Sequence, residues 1–126
     1  LPYMDQALSA LIDDIFTRNL DQKILVVVVG EFGRTPRVST NTTGVGRNHW
    51  PQAYSALLSG GGLRMGQVVG ATNSKAEYPA EKPHTPQDLL ATIYRHLGID
   101  PSSTLTDHSG RPVFILDSGR PIADLI

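Results

Sequence analysis

Lys23-Ile24-Leu25-Val26-Val27-Val28-Val29-Gly30-Glu31-Phe32-Gly33-Arg34-Thr35-Pro36 is the stretch whose reading decides the fold. Its apolar run, Ile24 to Val29, has no polar residue in it. Four consecutive valines disfavour a helix, and the lack of alternation disfavours a strand with one wet face. The run predicts a strand buried on both faces, central in a sheet and parallel to a neighbour, with helices as cover. The expected fold class is α/β: a partial, mostly parallel sheet flanked by helices. Open α/β sheets gather their chemistry at the carboxyl ends of strands, so a site is expected at Gly30–Pro36.

On the N-terminal side, Leu8, Leu11, Ile12 and Ile15 recur at helical spacing and predict an amphipathic helix over 3–19. Pro2 and Asp5 suit its first turn, and Asn19 suits its end. On the C-terminal side, 37–48 is polar and without period, which predicts a long loop. A second strand is expected over Ala53–Ser59, ended by Gly60-Gly61-Gly62, and a short third over Gln67–Val69. Residues 71–84 read as another loop. Thr85 then caps a second helix with Pro86 at its first position and Asp88 at its third, a variant capping box. Leu89, Leu90, Ile93, Tyr94 and Leu97 form its apolar face, and Gly98 ends it. Val113–Leu116 reads as a last strand, with Asp117-Ser118-Gly119 as a turn.

The 126 residues suit one domain. The chain starts at Leu1 and is in a helical pattern by Leu8, so 1–126 reads as a single fragment of a larger domain. Eleven lysines and arginines against twelve aspartates and glutamates give a net charge of -1. That balance excludes a strongly basic nucleic-acid surface. Without cysteine there is no disulfide, thiol nucleophile or thiolate metal site. No apolar run is long enough to cross a membrane or to act as a signal peptide, so no membrane partner is expected.

Glu31 follows the apolar strand between Gly30 and Gly33. There it can bind a metal, act as a base, or pair with Arg34 to pin the loop. His49 stands in Gly46-Arg47-Asn48-His49-Trp50-Pro51, outside any apolar stripe. It reads as a metal ligand or as a loop residue bonded to backbone. His84, His96 and His108 read as ordinary surface histidines. Arg34, Arg37 and Arg47 surround the same loop, and guanidinium groups suit phosphate or sulfate. Neither a P-loop nor a Gly-x-Ser-x-Gly elbow is present, and Thr35 and Ser39 are weak nucleophile candidates.

These pieces recur as an ordered series. Gly-Glu-Phe-Gly-Arg-Thr-Pro follows the valine strand, then come Gly-Arg-Asn-His-Trp-Pro, Leu-Leu-Ser-Gly-Gly-Gly, Thr-Pro-Gln-Asp-Leu-Leu-Ala-Thr-Ile-Tyr-Arg-His-Leu-Gly-Ile-Asp and Gly-Arg-Pro. The series resembles the C-terminal part of the uncharacterised bacterial family called domain of unknown function fifteen-oh-one. That family is grouped with the alkaline phosphatase and sulfatase superfamily. The resemblance implies a metal-dependent hydrolase of phosphate or sulfate esters. It implies a divalent metal (zinc, calcium or magnesium) held by Glu31 and His49, beside which Arg34 and Arg47 are the residues read as anion-binding from their type. Phe32 stands where the superfamily has a metal-binding histidine. The superfamily nucleophile lies in the N-terminal half, so this chain is expected to be inactive alone. Relatives are often exported, which implies a periplasmic or extracellular parent.

Two other functions stand beside the hydrolase. One is a non-catalytic member of the fold that binds an anion or polysaccharide, or is structural. The other is a small α/β interaction module. Glu31 and His49 are expected to converge at the end of the valine strand. The stripe Leu8, Leu11, Ile12 and Ile15 is expected to mediate self-association, because a sheet cut from its other half leaves apolar surface and a strand edge bare.

Overall fold

The computed structural model describes residues 1–41 and 44–126. In chain order the elements are α1 (Pro2–Thr17), β1 (Leu25–Val29), β2 (Gly33–Arg34), β3 (Ser39–Asn41), β4 (Gly44–Gly46), β5 (His49–Trp50) and β6 (Ala56–Gly60). Then follow β7 (Ala71–Thr72), β8 (Pro79–Glu81), α2 (Pro86–His96), β9 (Thr104–Thr106) and β10 (Pro112–Phe114). Two compact units form. One comprises Leu1–Leu25, Ser59–Gly66 and His84–Ile126, the other Val26–Leu58 and Gln67–Pro83.

Among the described residues there is no parallel sheet of the kind expected. The strands of the described residues pair two by two: β1 with β6, β2 with β5, β3 with β4, β7 with β8 and β9 with β10. The last four pairs are antiparallel. For β1 and β6, the Gly61 N–H donates to the Ile24 carbonyl at 2.8 Å, which sets the end of β6 beside the start of β1. Nor is β1 buried on both faces: Leu25–Val28 are half-buried and Val29 is 48% exposed. The valine run specified an extended backbone correctly. It could not specify a partner, because β-branching fixes χ1 and backbone shape but says nothing about which edge pairs with it.

The expected loop 37–48 carries the β3–β4 pair, in register Ser39↔Gly46 and Thr40↔Val45, with residues 42–43 outside the described residues. The expected loop 71–84 carries the β7–β8 pair. The strand expected over Gln67–Val69 does not form, and Val68 is 93% exposed. Short antiparallel ribbons need few apolar residues and close through local turns, so a polar stretch hides them from a hydrophobic-pattern reading.

The first unit has its helices close to where they were expected. The end of α1 is a Schellman turn. Asn19 adopts a left-handed φ of 57°, its N–H donates to the Phe16 carbonyl, and the Leu20 N–H reaches the Ile15 carbonyl. Of the α1 stripe, Ile15 is buried, Leu8 and Ile12 are half-buried, and Leu11 is exposed. In α2 the capping box forms: the Thr85 hydroxyl accepts from the Asp88 N–H, and the Asp88 carboxylate accepts from the Thr85 N–H. Gly98 ends the helix with its N–H on the Arg95 carbonyl, and Ile99 reaches Tyr94.

The buried side of α2 is only in part the expected one: Leu89, Ile93 and Tyr94 are half-buried. Ala91 and Thr92 are buried, whereas Leu90 is exposed and Leu97 is 60% exposed. The reason is the C-terminal tail, which needs small residues beneath it. The Thr92 hydroxyl donates to the Asp88 carbonyl at 2.8 Å and accepts from the buried Ile122 N–H at 2.9 Å. The Asp88 carboxylate accepts from the Arg120 N–H at 2.8 Å. At Gly119, with φ 100°, a β-carbon would lie 2.5 Å from the Gln87 carbonyl group, so only glycine fits. Backbone N–H groups of Thr85 and then Arg120 hold the Asp88 carboxyl below its ordinary value of 3.8. Among the described residues the buried apolar ones are Ile15, Ala91, Ile122 and Leu125.

Candidate functional site

The strand-end loop and the Gly46–Pro51 loop meet in the β2–β5 ribbon, with Arg34 opposite His49 and Gly33 opposite Trp50. In an antiparallel ribbon directly opposed residues share a face and the next pair takes the other. The ribbon therefore has a Gly33–Trp50 side and an Arg34–His49 side.

The Gly33–Trp50 side is packed. The Trp50 indole N–H donates to the Glu77 carbonyl at 2.6 Å, and its ring lies 5.8 Å from the Tyr78 ring, tilted by 58°. Asn73 holds that turn together: its side-chain oxygen accepts from the Glu77 N–H at 2.8 Å, and its own N–H donates to the Tyr78 carbonyl. A β-carbon on Gly33 would overlap the Ala53 carbonyl oxygen and crowd the Trp50 carbonyl. This side is structural, and glycine is needed for the backbones to approach.

The Arg34–His49 side is open. The His49 ring stacks on Phe32 with centroids 3.8 Å apart and planes 26° from parallel. The Arg34 guanidinium lies 5.5 Å from the Phe32 ring centre. That geometry suits an aromatic face and a cation. Arg34 Nη1 also donates to the Arg47 carbonyl at 3.4 Å. Arg34, Arg37, Arg47 and His49 are all exposed, and among the described residues none of the three arginines is in an ion pair. The Glu31–Arg34 ion pair considered from the sequence does not form. Glu31 is exposed in the bend between β1 and β2, next to Phe32.

Thr35 joins the two segments. Its N–H donates to the Asn48 carbonyl at 3.0 Å, and its hydroxyl accepts from the Asn48 N–H at 3.0 Å. The same hydroxyl donates to the Arg37 carbonyl at 2.9 Å. Ser39 contributes a hydroxyl that donates to the Gly46 carbonyl and accepts from the Asn48 amide. Among the described residues no three of the histidine, aspartate and glutamate side chains lie together as a metal-binding group. His84 and His108 sit in loops, and His96 ends α2, as their sequence positions implied.

The first unit holds a cavity of about 380 Å³, lined by residues that include Gln22, Gly61, Gly62, Arg95 and His96. Its glycine-loop N–H groups are spent on the Ile24 and Asp21 carbonyls. Arg95 and His96 occupy the last turn of α2, where cations offset the helix dipole. The fold accounts for these groups without a ligand.

A family model matches residues 1–126, and its description is Protein of unknown function (DUF1501). The chain belongs to this family. The assignment covers its whole length and agrees with the ordered motif series. The finer grouping with alkaline phosphatases and sulfatases is not supported by the match. No curated protein and no solved structure matches the chain. No helix of the described residues is long and apolar enough to cross a membrane.

Sequence reasoning selected Glu31, Arg34, Arg47 and His49. It gave Phe32 only the negative role of a missing ligand and passed over Thr35 as a weak nucleophile. The available signal was nearness in sequence: Phe32 lies in the bend just before β2, two residues from Arg34. Pairing Arg34 with His49 required knowing the ribbon.

Proposed function

We propose that the Arg34–His49 side of the ribbon recognises an oxyanion, the phosphate or sulfate group of an ester. One observation carries the reading: two exposed segments bring Arg34 and His49 opposite each other over Phe32, with Arg47 bonded to Arg34 through its carbonyl. Guanidinium groups without carboxylate partners supply charge-assisted donors, and the Phe32 face holds the Arg34 side chain in place. In this reading the chain contributes anion recognition to an ester hydrolase of the alkaline-phosphatase-like kind. Turnover needs an activated nucleophile, and the Thr35 and Ser39 hydroxyls each donate instead to a backbone carbonyl, of Arg37 and Gly46 respectively.

The test is titration of the purified chain with inorganic phosphate and inorganic sulfate, read by amide chemical shifts, with chloride as control. Shifts confined to Arg34, Arg47, Asn48 and His49, and lost in the Arg34→Gln/Arg47→Gln double variant, are expected. Equal responses to chloride, or binding that survives the double variant, would overturn the reading.

A second reading is favoured by how His49 stacks. The Phe32 contact occupies the face of the imidazole and leaves its in-plane nitrogens for coordination. In this reading the His49 nitrogen and the Glu31 carboxylate are the donors to a divalent metal such as zinc. Zinc calorimetry on the chain and on His49→Ala separates this reading from the first.

A further inference from the structure

Thr35 is the point where the cationic segments are fastened together, and its hydroxyl is fully used in doing so. It accepts from the Asn48 N–H at 3.0 Å and donates to the Arg37 carbonyl at 2.9 Å. One oxygen atom therefore ties the Arg34–Arg37 segment to the Arg47–His49 segment, beside the main-chain bond from Thr35 to Asn48. Thr35 is half-buried while Arg34, Arg37, Arg47 and His49 are exposed. Both bonding positions of the hydroxyl are thus used within the protein, so it fastens the segments and does not itself offer a bond to an anion.

We propose that Thr35 is the positioning residue of the oxyanion site, setting the spacing between Arg37 and the Arg47–His49 segment through this two-bond bridge. The inference rests on the anion-binding reading above. A valine keeps the β-branched shape and the main-chain bond but loses both hydroxyl bonds. A serine keeps both. Without the bridge the segments keep the ribbon pairing and the main-chain bond but lose the hydroxyl ties, and an anion must supply that part of their ordering when it binds. The penalty therefore falls on affinity more than on stability, because the freed Asn48 N–H and Arg37 carbonyl lie at an exposed site where water replaces the lost partner.

The experiment compares wild type, Arg34→Gln, Thr35→Val and Thr35→Ser by titration with inorganic sulfate and inorganic phosphate, alongside thermal melting. Thr35→Val is expected to bind about fivefold more weakly, with Thr35→Ser within about twofold of wild type. The melting midpoint of Thr35→Val is expected within about 3 °C of wild type. Hydrogen exchange at the Asn48 amide should speed up in Thr35→Val and not in Thr35→Ser. If wild type binds, Arg34→Gln does not, and Thr35→Val matches wild type, the positioning role is overturned while the anion site stands. If wild type fails to bind, or Arg34→Gln binds as well as wild type, the anion reading itself falls and takes this inference with it. An unfolded Thr35→Val, or a Thr35→Ser as weak as the valine, assigns Thr35 to the fold and also overturns the proposal.

Discussion

At the start of α2, polar side chains are consumed by backbone. At the β2–β5 ribbon they are left over. Asp88 satisfies the Thr85 and Arg120 N–H groups, and Thr92, 1% exposed, satisfies Ile122 while bonding back to Asp88. Across the ribbon the Thr35 and Ser39 hydroxyls and the Trp50 indole are spent on backbone and Arg34 makes a 3.4 Å contact to the Arg47 carbonyl, while the guanidinium groups of Arg37 and Arg47 have no carboxylate partner among the described residues. The difference separates two meanings of a polar residue in a loop. One kind closes the chain on itself, and the other is available to something else. A perturbed carboxyl therefore does not mark the site here. Asp88 is lowered by backbone donors and is structural, whereas the candidate site is found through unspent cations.

The sharpest break in that contrast comes from Gly119→Ala. The new methyl would meet the Gln87 carbonyl group at 2.5 Å, on a backbone with φ 100°. A loss of about 3 kcal/mol is expected from the clash and the strained φ. Urea unfolding followed by circular dichroism measures it. A loss near zero would show that the tail is not held against α2 in solution.

Next in size is Thr92→Val, which keeps shape and volume while removing one oxygen. The buried Ile122 N–H loses its acceptor, so a loss of about 2 kcal/mol is expected. The two substitutions touch one cluster and are expected to be less than additive. Full additivity in the double variant would mean that the tail bonds act independently.

Acid sharpens the same point more gently. The Asp88 carboxyl is held below its ordinary value of 3.8 in the folded chain, first by the Thr85 N–H and then by the Arg120 N–H. A lowered folded value means the ionised form is preferred by the fold. Its stabilisation is present above pH 3.8 and is lost as pH falls through the lower folded value. Asp88→Asn is expected to cost about 1 kcal/mol at neutral pH and to flatten the acid limb of the stability curve. An unchanged acid limb would place that limb's origin elsewhere, at Asp100 or Asp107. These are held low by Ser102 and by the Arg111 N–H respectively.

The two regions also differ in how far the sequence revealed them. Thr85, Pro86, Asp88 and Gly98 lie within one helix length, so cap and stop were readable from local chemistry alone. The tail contacts of Asp88 and Thr92 bridge about thirty residues and were not readable. At the ribbon, residue types pointed to Arg34, Arg47 and His49, since unpaired cations in a glycine-bearing loop need no partner to be noticed. The error lay with Ile24–Val29. Apolar composition reports how much cover a strand needs, and it was read as stating the sense of its pairing, which depends on a distant strand. Thr35 was missed for the same reason, because its partner Asn48 lies across the ribbon.

The smallest stability effect is expected where the largest functional one is. Arg34→Gln removes an exposed guanidinium whose bonds are a 3.4 Å contact to the Arg47 carbonyl and the 5.5 Å approach to Phe32. Exposed groups of this kind change stability by less than about 0.5 kcal/mol. The same substitution takes one charged donor from the proposed oxyanion site, and sulfate affinity is expected to fall about tenfold. The two measurements together decide what Arg34 is for. If unfolding shifts and binding does not, the guanidinium belongs with Asp88 and Thr92 as a group the fold has used. If binding falls while the unfolding midpoint stays, Arg34 on Phe32 serves a ligand and not the fold.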